Sequence, residues 1–97
     1  MDYSKMLSQL QKVQADAQDM ENKLAETIYE GKSNGIVIKI NGNEEVQEIN
    51  IPEELMDDRE MLQDMLLIAF NNAVEAYHKD REEKTSALTA GFKLPGM

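Results

Sequence analysis

Ile36-Val37-Ile38-Lys39-Ile40-Asn41-Gly42-Asn43, residues 36 to 43, is a run of β-branched side chains that stops at an Asn-Gly pair. Branching at Cβ favours a pleated strand, and Asn-Gly accepts the positive φ that a tight hairpin demands. The stretch therefore reads as a strand entering a turn. Upstream, Thr27-Ile28-Tyr29 leads into Gly31-Lys32-Ser33-Asn34-Gly35, whose outer glycines bracket another turn, and downstream Val46 to Ile51 is a further apolar run. Pro52 closes that run, because it lacks a ladder donor and holds the preceding residue extended. The spacing predicts a three-stranded antiparallel meander between Glu26 and Ile51, with Ile38 and Ile40 on its buried face.

On both sides of the meander the period lengthens. Tyr3, Met6, Leu10, Val13, Ala17, Met20 and Leu24 alternate spacings of three and four, an a/d seam that predicts a helix over residues 2 to about 25 packed on another long helix. Lys5 and Lys12 share its outer face. The second helix starts near Asp58: Asp57 is positioned to cap the first amides, Glu60 to reach back, and Met56 and Met61 to form the flanking staple. Met61, Leu62, Met65, Leu66, Ala69, Phe70, Ala73, Val74 and Tyr77 give it a broad apolar face, and no Gly or Pro interrupts it before Gly91. About thirty residues rise about 45 Å, more than three strands can cover, so part of this helix projects as an arm with the first helix antiparallel beside it. Residues 1–90 form a single domain and 91–97 a flexible tail.

The whole chain is 97 residues, enough for one small core and too few for two. Such a core commonly needs a partner, so self-association is expected. The absence of cysteine excludes disulfides and thiolate metal sites, and His78 alone makes no zinc site. That composition suits a reducing cytoplasm. Neither a secretory leader nor a run long enough to span a membrane is visible. Gly31-Lys32-Ser33 resembles the end of a phosphate loop, but Glu26 stands where such a loop needs glycine and a strand follows instead of a helix. The acids Asp57, Asp58, Glu60 and Asp64 are explained by the start of a helix rather than by a cation. With no nucleophile beside His78 and no cofactor motif, the chain does not read as an enzyme and implies no cofactor.

Nineteen Asp and Glu against ten Lys and Arg give a net charge of -9, which by itself opposes binding to a polyanion. The charge is unevenly spread. Residues 1 to 15 carry two lysines against one aspartate, and residues 78 to 97 carry Lys79, Arg81, Lys84 and Lys93 against three acids, so each end is +1 and residues 16 to 77 are -11. Antiparallel helices bring those two ends to one distal tip.

Gly31-Lys32-Ser33, Gly35, Val37, Asn41-Gly42, Val46, Ile49, Ile51, Leu55, Asp57-Asp58-Arg59-Glu60-Met61-Leu62-Gln63-Asp64, Ala69-Phe70-Asn71, Ala73, Gly91 and Leu94-Pro95-Gly96 together resemble the YbaB/EbfC family of bacterial nucleoid-associated proteins. The resemblance runs from about residue 30 to 97. It implies an α-β-β-β-α protomer of the α+β class, a tweezer-like homodimer joined through the sheet region, a place in the cytoplasm on the nucleoid, and binding of duplex DNA with little sequence preference. In combination with the charge pattern, the expected DNA contacts are Lys5, Lys12, Lys79, Arg81, Lys84 and Lys93. The acidic total leaves a second reading open, an acidic dimer of the same fold that recognises a protein partner through its helical faces.

Overall fold

The computed structural model describes residues 3–90. Helix α1 (Tyr3–Glu26) is followed by strands β1 (Ile28–Ser33), β2 (Ile36–Asn41) and β3 (Val46–Asn50), a short 3-10 turn (Glu53–Leu55) and helix α2 (Arg59–Ala90). The strands form an antiparallel sheet in chain order. This is the α-β-β-β-α arrangement expected from the periodicities.

Alternation in β2 sends Ile36, Ile38 and Ile40 inward, all buried, while Val37 and Lys39 face outward. Tyr29 and Gly31 of β1 stand opposite Ile40 and Ile38 on the same inner face. Helix α2 lies across β1 and β2 and buries Ala69, Ala73 and Tyr77 there; Leu24 of α1 and Leu55 complete the core. The two alanines sit against Gly31, where any Cβ would overlap the Ala69 carbonyl and crowd the Ala73 amide. Gly31 is thus a site of close helix–strand approach within β1 and does not bracket a turn.

The tight hairpin uses the other Asn-Gly pair. Asn34 (φ 47°) and Gly35 (φ 87°) join β1 to β2, both with the positive φ that a two-residue turn matching strand twist requires. Asn41 instead folds its side chain over a longer loop, its Oδ1 accepting from the backbone amides of Asn43 at 2.9 Å and Glu45 at 3.0 Å, with Glu44 (φ 61°) as the left-handed residue. Gly42 is required for space, since a Cβ would run into the Leu24 carbonyl. Beyond this loop, Lys39 pairs with Glu48 but Ile40 with Val46, so β3 carries one extra residue as a bulge.

Asp58 caps α2: its Oδ1 accepts the Met61 amide at 3.1 Å and its carbonyl accepts the Leu62 amide at 2.9 Å. The cap is one residue later than Asp57, the expected position, and the shift takes Glu60 out of the back-bonding position and leaves Met56 and Met61 exposed rather than stapled.

The helices outreach the sheet. The molecule measures 70 × 23 × 13 Å with a radius of gyration of 19.6 Å, against about 12 Å for a compact chain of this length. Along α1 the expected seam changes character: Leu24 is fully buried, Met20, Ala17 and Val13 are half-buried, and Leu10, Met6 and Tyr3 are exposed.

Candidate nucleic-acid interface

Where the arm leaves the sheet, a polar cluster fixes α1 to α2. The Arg81 guanidinium forms a forked ion pair with Glu21, its Nη1 donating to Glu21 Oε2 at 3.1 Å and to Tyr77 Oη at 3.1 Å. Tyr29 Oη donates to Asp80 Oδ2 at 2.6 Å, and Lys84 Nζ donates to Asp80 Oδ1 at 2.6 Å. The Tyr29 and Tyr77 rings meet edge to face with centroids 5.5 Å apart. Burial, reinforced by the Asp80 carboxylate, pushes the Tyr29 hydroxyl up to about 12, whereas the hydrogen bonds from Lys84 and Tyr29 hold Asp80 below its ordinary 3.8. Glu21 likewise raises the pKa of Arg81, which therefore stays cationic.

This cluster sets the helix register. From Arg81 to Ala90 are nine residues, and from Glu21 back to Tyr3 are eighteen, so α1 extends past the described end of α2 by nine residues, about 14 Å at 1.5 Å per residue. The overhang is residues 3–11; Lys5 is carried on it and Lys12 stands at its base, level with Ala90, both on exposed positions. Between Tyr3 and Ala15 there is no carboxylate.

The expected DNA contacts are consequently divided. Lys5 and Lys12 lie at the arm tip, and Lys79 lies exposed nearer the sheet. Arg81 and Lys84 are half-buried and turned onto Glu21 and Asp80, so they serve the joint between the helices in this arrangement. Lys93 lies outside the described residues. Among the described residues of 78–90, three cations balance three acids, and the positive character of that end belongs to α1. Outside the arm, Lys32 and Lys39 are paired with Glu30 and Glu48 on the outer sheet face.

Sequence reading missed Glu21 and Tyr29 as partners of the arm cations. The Asp80–Lys84 pair was visible in principle, since a spacing of four places both on one helix face. The Glu21–Arg81 pair spans sixty positions and carries no local signal. Among the described residues no group of three His, Cys, Asp or Glu could hold a metal ion, and no helix is long and apolar enough to cross a membrane.

Comparison with known proteins places this arrangement among similar chains. A family model described as the YbaB/EbfC DNA-binding family matches residues 1–92. A nucleoid-associated protein of Chloroflexus aggregans is 40% identical over 97 residues, covering 96% of this chain and 97% of that one. One from Legionella pneumophila is 39% identical over 93 residues, covering 93% and 83%. In shape, the chain is similar to the crystal structure of an uncharacterized protein from Helicobacter pylori, with a TM-score of 0.79, 26% identity, and coverage of 92% of this chain and 98% of that one.

Proposed function

Because the chain belongs to the YbaB/EbfC DNA-binding family, we propose that it acts as a nucleoid-associated protein of the cytoplasm, gripping duplex DNA with little sequence preference through the tips of its helical arms. The observation that carries this reading is the distal end of α1, which holds Lys5 beyond, and Lys12 level with, the described end of α2, with no carboxylate from Tyr3 to Ala15. At physiological salt a charge is screened beyond about 8 Å, so a tip tens of ångströms from the sheet meets phosphates on its own terms. Lysine on an exposed helix neutralises phosphates as a point charge and reads no base edge, which accounts for weak sequence preference. Lys79 adds an exposed cation nearer the sheet, and Arg81 and Lys84 contribute by holding the arm together.

The working unit in this proposal is a homodimer. Helix α2 covers β1 and β2 but leaves the inner face of β3, where Val46 and Ile49 are about half exposed, and Leu67 and Phe70 of α2 are exposed as well. A second copy covering that surface presents two arms to one duplex.

Gel shift on generic duplex across a salt series tests the reading. Wild type should bind at low salt and release as salt rises, each neutralised phosphate contributing about 0.9 to the log–log slope. The double variant Lys5→Glu/Lys12→Glu keeps its fold, since neither residue touches the core, and should lose most of the shift. Equal binding by that variant would overturn the tip mechanism, and no binding by wild type at any salt would overturn the DNA reading.

A further inference from the structure

The two helices of the arm turn different chemistry outward. Opposite Val13, Ala17, Met20 and Leu24, which line the buried side of α1, the far side carries Ser4, Ser8, Gln11, Ala15, Gln18 and Asn22, spaced by four and three residues and all exposed. None of these is charged, in a chain whose residues are 30% Asp, Glu, Lys and Arg, and four of the chain's six glutamines fall between residues 9 and 18. Lys5 and Lys12 run along one flank of the stripe, about a quarter turn away, and Asp16 and Asp19 follow on that flank nearer the sheet. The outward side of α2, opposite Ala69, Ala73 and Tyr77, carries Asp64, Glu75 and Glu82, all exposed, and no lysine or arginine shares their line.

We propose that duplex DNA lies against this outer stripe of α1, with Ser8, Gln11 and Gln18 donating hydrogen bonds to its backbone phosphates beside the lysines. This rests on the DNA reading above and adds to it the face and the donors. A phosphate brought to the outward side of α2 meets three carboxylates, and one brought to the stripe of α1 meets none, so between the two exposed faces of one arm electrostatics selects α1. Hydroxyls and carboxamides are regular donors to phosphate oxygens, and a bond to a charged acceptor is stronger than one between neutral groups. Unlike lysine, they release no counterion, so they add affinity without adding to the salt slope. From Ser8 to Gln18 the stripe runs about 15 Å, long enough to meet several phosphates of one strand at about 3.4 Å of axis per step. Gln18 Nε2 donates to Asn22 Oδ1 at 3.1 Å, and since an amide nitrogen carries two N–H groups, this bond orients the carboxamide and leaves a second donor on it.

Fluorescence anisotropy of a generic labelled duplex, titrated with the full chain across a salt series, tests this. The triple variant Ser8→Ala/Gln11→Ala/Gln18→Ala keeps its helix, because alanine is the best helix former. It should bind about tenfold more weakly or worse, with the log–log salt slope of wild type, whereas Lys12→Gln should lower that slope by about 0.9. On the outward side of α2, Ser86→Ala/Thr89→Ala should stay within about twofold of wild type. A triple variant that binds as tightly as wild type would overturn the stripe and leave the DNA reading standing. So would an equal loss from the α2 variant, or a loss that differs between A·T-rich and G·C-rich duplexes, the mark of contact with base edges. Wild type that binds no duplex at any salt would overturn both.

Discussion

Gly31 and Gly42 are glycines for want of room, whereas Gly35 is a glycine because its backbone sits at φ 87°. That distinction explains which turns were legible. Asn34-Gly35 and Asn41-Gly42 are the same dipeptide between similar strands, and local chemistry alone does not choose between them. The choice is made by Leu24, whose carbonyl packs on Gly42, and by α2, whose Ala69 and Ala73 occupy the space over Gly31. Tyr29 carries a testable consequence at the same scale. Its folded pKa of about 12 stands above the ordinary 10.0, so the protonated hydroxyl stabilises the fold fully below pH 10 and the contribution disappears as pH rises from 10 through 12. Tyr29→Phe should cost about 1–3 kcal/mol at pH 7 to 9. In denaturant titrations at fixed protein concentration, the gap between wild type and variant should narrow above pH 10; a gap independent of pH would mean that the Asp80 bond contributes nothing.

At the scale of elements, periodicity proved a guide to faces and not to partners. The alternation of three and four along α1 is continuous, yet only its last turns reach the core, and its first turns lie beyond the described end of α2. Likewise the count of cations at 78–97 located a positive end without revealing that Arg81 and Lys84 are spent on Glu21 and Asp80. The start of α2 was legible to within one residue, the error arising from two adjacent aspartates of which geometry selects the second. Asp58→Ala should therefore lower stability by about 1 kcal/mol, while Asp57→Ala, which caps nothing in this arrangement, should change it by less than about 0.5 kcal/mol. Urea midpoints of the two variants, measured side by side, decide between them. The reverse order would restore Asp57 as the cap.

For the whole molecule, the uncovered inner face of β3 leads to a prediction of mass. Sedimentation at micromolar concentration should give about 22 kDa, twice the 11.0 kDa of one chain. Ile49→Asp, which sets a charge on that face without entering the protomer's core, should halve it. A well-folded wild-type monomer would remove the proposed second arm. One further property follows from the 70 Å length and the segregation of charge, with residues 16 to 77 at -11 and Lys5 and Lys12 at the distal end of α1. A rod of this kind is a large electric dipole, and near a polyanion it experiences a torque as well as a force. In the proposed mode of DNA binding, encounters that begin body-first are turned until the tip leads. The torque acts over the screening length, about 30 Å at 0.01 M salt and about 8 Å at 0.15 M, so added salt withdraws the orienting field before it dissolves any contact at the tip, and slows capture earlier than it speeds release.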